Sequence, residues 1–191
     1  AARDEAQLDK PLDDFRQKKL VTLGTPEIKY VSIDRPGGKL ELAKEGESWK
    51  ILAPEPMLAD SSAVSDLLFS ITGLQAVEYV DGADASAPIY GLGSHAKTVT
   101  IATAVPPSAE PTTQPATRST QTPTTQPAPV KFTIGLPDTL LEKNLYVKVA
   151  GSNTIVKVSK DSLAFADKKP LDLRDKMVVD LDPNLVNSVT V

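Results

Sequence analysis

The residues that could do chemistry gather in one short segment, residues 91–98, which reads Gly-Leu-Gly-Ser-His-Ala-Lys-Thr. It approaches the phosphate-binding pattern G-x-x-x-x-G-K-[ST], but Ala96 stands where the second glycine would let backbone N–H groups wrap a phosphate. Such a loop also needs a helix behind it, whereas the residues from Val99 onward alternate as a strand does. Nucleotide binding is therefore not predicted.

The same segment holds a possible nucleophile. Ser94 and Lys97 match S-x-x-K, in which a lysine activates a serine, and His95 is the only histidine available to a triad. The S-x-x-K chemistry needs a helical start and companion motifs such as K-T-G, and the sequence has none. A hydrolase using Ser94, His95 and Lys97 remains an alternative function, and the first prediction is that the chain is not an enzyme.

Metal and cofactor sites are not predicted either. One histidine without any cysteine could form a zinc site only if carboxylates supplied the other ligands. The acid pairs Asp13-Asp14 and Asp180/Asp182 could act as acid and base or hold calcium, but no D-x-[DN]-x-[DN]-G loop surrounds them. We interpret them as solvated caps and turns, so no catalytic, cofactor-binding or metal-binding residue is assigned.

Composition excludes further classes of protein. The 191 residues carry a net charge of −4, without the basic stripe that nucleic-acid binding needs. The lysine pairs at 18–19 and 168–169 are flanked by acids and are expected to form solvated faces. The sequence has neither a long apolar run nor a signal-peptide-like start, so any membrane contact is expected through an anchor outside it.

The elements that must position these residues are mostly strands. Residues 28–33 and 39–43 alternate on either side of a Pro-Gly-Gly turn, which predicts a β-hairpin. Asp60 precedes apolar residues at helical spacing, which predicts an amphipathic helix ending near Gly73, and Ser159 is expected to cap a short second helix. The fold class predicted is α+β, with antiparallel β-sheets built from hairpins, one main amphipathic helix and a second short helix. The helix's apolar positions are Val64, Leu67, Leu68, Ile71 and Leu74.

Residues 105–129 differ from the rest of the chain. They are almost entirely Pro, Thr, Gln, Ser and Ala, and lack the apolar groups that offset the entropy of ordering, so a disordered or polyproline-like loop is predicted. Strand-like residues flank the tract at 97–104 and 130–135. The interpretation is a hairpin with a lengthened tip, which costs little because loop entropy grows slowly with length. The alternative is an exposed ligand for a partner.

The end of the sequence resembles its beginning. Residues 15–33 align without gaps on residues 173–191, with identities that include Arg16/Arg174 and Leu23/Leu181 and with the same apolar phase. We therefore predict one repeat domain at 15–172, with 1–14 as a linker or the end of a preceding unit and 173–191 as the start of the next unit.

The order of these weak motifs resembles the bacterial domain-of-unknown-function 4340 family. The residues that carry the resemblance are Phe15-Arg16, Gly46, Trp49, Pro54, Ala59-Asp60, Val64, Leu67-Leu68, Tyr90-Gly91-Leu92, Ile134-Gly135 and Tyr146-Val147. The resemblance implies a membrane-anchored extracytoplasmic protein, in some cases associated with ABC transporters of the gliding-motility-auxiliary type. It supplies no catalytic residue.

Two functions remain beside the hydrolase. The first is a non-catalytic extracytoplasmic binding or scaffolding module, periplasmic or similarly placed, with protein partners in a cell-envelope complex and no nucleic acid. The second is a carbohydrate- or peptidoglycan-binding domain that would use Trp49, Tyr79 or Tyr90 as stacking platforms. Trp49 is expected instead to fill the core against the helix at 62–74.

Overall fold

The structure is a computed structural model that describes residues 16–106, 128–138, 143–152 and 154–176. The acid pairs at 13–14 and 180/182 lie outside the described residues, as do 107–127 of the low-complexity tract and 177–191 of the second repeat copy. The predictions made for those segments stay predictions.

The first half of the chain forms a meander of antiparallel strands. Strand β1 (Tyr30–Arg35) pairs with β2 (Gly38–Glu45), so the predicted hairpin is confirmed. A turn through Gly46, whose φ of 61° suits glycine, leads to β3 (Ser48–Ala53), which pairs with β4 (Met57–Leu58). Between β3 and β4 the chain carries Pro54 and Pro56, which lack the N–H donor that a sheet ladder needs.

The main helix begins and ends where the sequence indicates. Helix α1 (Ser61–Thr72) starts after Asp60, whose Oδ1 accepts the N–H groups of Ser62 at 2.8 Å and Ala63 at 3.1 Å. At the other end Gly73 donates its N–H to Phe69 O at 2.9 Å. The buried face is the predicted one, since Val64, Leu67, Leu68, Ile71 and the following Leu74 are all fully or almost fully buried.

Five further strands complete the sheet. They are β5 (Glu78–Val80), β6 (Lys97–Ala102), β7 (Val130–Pro137), β8 (Asn144–Val149) and β9 (Ile155–Ser159). Strand β5 begins only at Glu78, because Gln75 forms a β-bridge with Lys19 and Ala76 donates its N–H to Lys18 O. Strands β6 and β7 pair from Lys97↔Ile134 to Ile101↔Val130, which confirms that the low-complexity tract joins two neighbouring antiparallel strands.

The nine strands of the described residues lie in one sheet rather than several, in the order β4-β3-β2-β1-β6-β7-β8-β9-β5 with every pair antiparallel. The α+β class is confirmed. A flat sheet of nine strands would be about 38 Å wide at a strand spacing of ~4.8 Å, whereas the 12-residue helix α1 is about 18 Å long. Helix α1 nevertheless contacts both β3 and the helical turn after β9, so the sheet curls around it.

The second helical region differs from the prediction. A 3-10 helix, Asp161–Asp167, follows β9, and a short helix α2, Pro170–Leu173, comes after it. The predicted cap at Ser159 is wrong, because that residue still pairs with Asn144 in the sheet and Lys160 is the N-cap, without a side-chain cap bond. The 161–167 helix is held by its apolar side, where Leu163, Phe165 and Ala166 are buried.

One hydrophobic core lies between α1 and the concave face of the sheet. It includes Trp49, 6% exposed, and Phe132, fully buried, so the interpretation of Trp49 as a core residue is confirmed. A small second cluster on the outer face contains Tyr30, Ala43 and Ala102, with Val105 packed against it. The start of the low-complexity tract thus turns onto the outer face of the sheet.

Both ends of the described chain lie beside α1. Lys19 forms a β-bridge with Gln75 just after the helix, and Arg174 forms one with Ala59 just before it. At one edge of the sheet the Asp175 N–H donates to Leu58 O of β4, so the end of the described chain pairs with part of that edge strand. Because Phe15 and most of the second repeat copy lie outside the described residues, the predicted repeat stays a prediction.

Candidate binding cleft

A turn of 3-10 helix, Pro88–Tyr90, crosses strand β7 at an unusually close distance. A Cβ atom on Gly135 would lie 2.0 Å from Tyr90 O, and one on Gly91 would lie 2.3 Å from Leu136 Cγ. Gly91 also has a φ of 61°, which side-chain-bearing residues rarely adopt. Two glycines are therefore required where these segments cross, and their contact fixes the position of residues 91–97.

A cleft opens between this crossing and the 161–167 helix. Its volume is about 1180 Å³, and its walls come from residues 85–97, the end of β7 and the 161–167 helix. Ile134, Leu163 and Ala166 contribute to its lining and are almost completely buried, so they form its floor. Leu136, 51% exposed, stands on its wall.

Most of the lining is apolar or glycine, and much of it is small. Alanines and glycines recur along the walls, while the polar lining is Ser86, Ser94, His95, Lys97, Lys160, Asp161 and Asp167. A mainly apolar cavity with a few polar groups is the usual character of a ligand site. Its size is slightly above the range of about 300–1,000 Å³ found for small-molecule pockets.

The wall formed by the 161–167 helix is tied to the sheet by two polar contacts. Lys97 Nζ donates to Asp167 Oδ1 at 2.5 Å, joining the start of β6 to the end of this helix. Arg35 Nη1 donates to Ala166 O at 3.3 Å from the end of β1. The wall is thus held by side chains from two neighbouring strands as well as by its buried apolar face.

All three residues of the hydrolase hypothesis line this cleft. Ser94 and His95 are exposed, and Lys97 is half-buried. Within the described part of the chain, no hydrogen bond joins Ser94 to His95 or Lys97, and the Lys97 ammonium is paired with Asp167. The structure brings the three residues to one cavity without aligning a nucleophile with a base, and the hypothesis stays untested.

The phosphate-loop pattern has a different structure from a phosphate loop. Lys97 is the first residue of β6, so a strand and not a helix follows the glycines, as the alternation predicted. The geometry gives residues 91–98 the role of a cleft wall.

The three aromatic residues proposed to stack on sugars all have partners within the protein, and they differ in burial. Trp49 is buried in the core. The Tyr79 hydroxyl donates to Gln17 O at 2.5 Å, and Arg16 Cζ lies 4.9 Å from the centre of its ring. Tyr90 makes an edge-on contact with Tyr146, with ring centres 4.9 Å apart. The carbohydrate-binding alternative therefore loses Trp49 as a stacking platform and keeps only the half-buried rings of Tyr79 and Tyr90.

A polar network lies on the outer face of β1 and β2. The Tyr30 hydroxyl donates to Glu41 Oε1 at 2.6 Å, and Lys39 pairs with the same carboxylate. Burial and then the bond to Glu41 raise the pKa of Tyr30 well above its usual value. Burial alone would raise the pKa of Glu41, but hydrogen bonds from Lys39 and Tyr30 outweigh it and the pKa is lowered. The network stabilises the hairpin.

A second, smaller cavity of about 360 Å³ lies on the other side of the 161–167 helix, against α1. Asp161 and Ala164 line both cavities, and Phe69 of α1, 75% exposed, lines the smaller one. The helix therefore forms a ridge between two depressions. Exposed apolar surface occurs on both sides of that ridge.

The described residues offer neither a metal site nor a membrane-spanning helix. No group of three or more His, Cys, Asp or Glu side chains there is placed to hold a metal ion. No helix in those same ranges is long and apolar enough to cross a membrane.

Sequence reasoning missed the residues that build the cleft. It did not single out Leu136, Ala164 or Asp167, and it quoted Gly135 only as part of a family pattern. A glycine within a strand is a known indication of a close backbone approach, so Gly135 could have been found. The others gave no signal, because the cleft forms from segments that are about 70 residues apart.

The fold and the cleft define a class of protein: an α+β domain with one curled antiparallel sheet and an apolar cleft at one end. The chain belongs to the DUF4340 family, described as a domain of unknown function, whose profile matches residues 1–95 and 49–191. The two matches overlap and together span the chain. No curated protein and no solved structure matches it.

Proposed function

We propose that this chain is a non-catalytic binding or scaffolding module that uses the cleft between residues 85–97 and the 161–167 helix. The observation that carries the proposal is the cleft itself, a mostly apolar cavity of about 1180 Å³ with one wall tied to the sheet by Lys97 and Arg35. Apolar concave surface of this kind gains free energy when a ligand covers it.

The side chains at the cleft favour binding over catalysis. General-base catalysis needs a nucleophile within about 2.6–3.2 Å of its base. Here Lys97 is bonded to Asp167, and neither Ser94 nor His95 has a side-chain hydrogen bond among the described residues. The cleft thus offers a surface to a ligand, without an activated group aimed into it.

The setting that we propose is extracytoplasmic and membrane-anchored, in a complex of the cell envelope or of a transporter. Support comes from family membership and from what the sequence resemblance implies about that family. The net charge of −4 and the lack of a basic stripe also favour a protein partner over nucleic acid.

Site-specific photo-crosslinking in cells tests the proposal on the full-length protein. A photoreactive residue at Ser94, exposed at the cleft, is compared with one at Glu47, exposed in the β2–β3 turn at the opposite end of the sheet. We expect an envelope or transporter protein to be captured from position 94 only. Capture of no membrane or transporter protein from either position would refute the proposed setting.

The hydrolase remains the second candidate, because Ser94, His95 and Lys97 share the cleft. A panel of ester and amide substrates tests it directly. Activity that is abolished in Ser94→Ala and kept in Ser86→Ala, another serine of the same cleft, would favour a hydrolase over a binding module.

A further inference from the structure

We infer that the cleft and the exposed apolar side chains on either side of it form one contact surface, which takes an uncharged, aliphatic segment of a protein partner. This surface is named the cleft face and consists of the cleft lining together with Ile89 and Phe69. The inference rests on the proposed binding function and adds the chemistry of the partner.

Charge is the first reason for an uncharged segment. Among the described residues that line the cleft there are two lysines and two aspartates, so their formal charges cancel, and Lys97 and Asp167 neutralise each other directly. An ionic ligand would lose its hydration without meeting a net opposite charge, which costs free energy. A neutral ligand loses little on entering.

The shape of the lining is the second reason. Small residues such as Ala87, Ala96 and Ala164 leave room that large side chains of a partner can fill. No Trp, Tyr or Phe is among the described residues that line the cleft, whereas sugars and proline-rich segments are recognised by such rings. An aliphatic segment therefore fits better than a glycan or a proline-rich ligand.

The apolar surface continues beyond the cleft, which favours a protein over a single lipid chain. Ile89 is 68% exposed beside the lining residue Pro88, and Leu136 is 51% exposed on the wall. Across the ridge at Ala164, Phe69 is 75% exposed. One acyl chain in the cleft would leave Ile89 and Phe69 in water, whereas a protein surface would cover them too.

The experiment selects peptides against the chain and then removes the surface. Random short peptides displayed on phage are selected on the wild-type protein, and the dissociation constants of the enriched peptides are measured by calorimetry. The blocking variant is Ala164→Arg, which places a charge on an exposed position of the ridge without touching the core. The matched control is Glu47→Arg, an equally exposed change at the far end of the sheet.

We expect the enriched peptides to be uncharged and rich in Leu, Ile or Val. They should bind Ala164→Arg at least about tenfold more weakly and bind Glu47→Arg as they bind the wild type. Replacing Phe69 by Ala leaves the cleft intact and should weaken the binding of these peptides by a smaller factor. Thermal unfolding of each variant establishes that it is folded.

Three results of the peptide selection would overturn the inference: no peptide is enriched, the enriched peptides are charged, or they bind Ala164→Arg as tightly as the wild type. A fourth contrary result would be that the protein co-sediments with neutral phosphatidylcholine vesicles and that Ala164→Arg, but not Glu47→Arg, abolishes this. The last would assign an acyl chain instead. Peptides indifferent to Ala164→Arg would leave the proposed function intact, because crosslinking from the full-length protein tests it separately. Failure of that crosslinking alone would refute the envelope setting but not the chemistry of the surface.

Discussion

At the scale of single residues, two glycines matter more than any ionisable group. Gly135 faces Tyr90 O, and Gly91 faces Leu136, at the crossing that forms one wall of the cleft. A larger residue at position 135 would push the Pro88–Tyr90 turn off the sheet, because the atom that it meets, Tyr90 O, belongs to the backbone and cannot move aside as a flexible side chain can. The family pattern that includes both glycines therefore has a packing reason.

We predict that Gly135→Ala destabilises the protein by about 1–3 kcal/mol, the usual cost of forcing atoms into a packed site. The added Cβ would lie 2.0 Å from Tyr90 O, so the turn must shift. Urea unfolding measures the change. Gly93→Ala is the control, since nothing lies within 4 Å of its Cβ, and it should stay within about 0.5 kcal/mol of wild type. If Gly135→Ala and Gly93→Ala changed the free energy of unfolding equally, the close crossing at Gly135 would be contradicted.

A second residue-scale prediction concerns alkaline pH. The pKa of Tyr30 is raised in the folded protein, mainly by burial, so the unfolded chain loses this proton first, near pH ~10. Above that pH the unfolded state binds fewer protons and stability falls, by at most about 1.4 kcal/mol per pH unit from this group. We expect Tyr30→Phe to show a shallower loss of unfolding free energy above pH ~10, measured in urea. Parallel curves would show that Tyr30 does not contribute.

At the scale of elements, α1 decides how the sheet is closed. The helix follows the strand at one edge of the sheet, precedes the strand at the other edge, and contributes Val64, Leu67 and Ile71 to the core. Its sequence specifies it locally, through the Asp60 cap and the apolar spacing. The curl of the sheet around it results from packing, because a flat sheet would leave much of the apolar inner face in water.

The helix cap gives the element-scale prediction. Asp60→Ala removes the acceptor for the N–H groups of Ser62 and Ala63 and should cost about 1 kcal/mol, within the range of about 0.5–2 for such caps. Asp60→Asn should restore most of it. Asp66→Ala, an exposed change within the same helix, should have little effect. Thermal and urea unfolding measure the stability of the three variants. If Asp60→Ala is as stable as the wild type, the cap does not stabilise α1.

At the scale of the whole molecule, the described ends of the chain belong to the fold. Residues 18–20 pair beside the end of α1, and residues 173–175 pair beside its start. Leu173 is fully buried in the core, and its carbonyl oxygen accepts a hydrogen bond from the Asp60 N–H at 2.8 Å. The described chain up to residue 175 thus contributes contacts to this domain.

The whole-molecule prediction follows from that burial. Leu173→Ala should destabilise the domain by about 2–5 kcal/mol, the cost of deleting a buried leucine side chain. Leu171→Ala, in the same short helix but 65% exposed, should change stability by about 0.5 kcal/mol or less. Urea unfolding compares the two. Equal and small effects would mean that the terminal segment is not part of the cooperative unit.

The sequence by itself determined the local elements, because hairpin turns, the Asp60 cap and apolar periodicity act within a few residues. It placed β1, β2, β6, β7 and α1 correctly and predicted that Trp49 is a core residue. Only the tertiary structure decided that nine strands form one curled sheet, that Lys97 meets Asp167, and that residues 85–97 and 161–167 enclose a cleft. The physical reason is that these features depend on contacts between segments far apart in the chain, which no local pattern records.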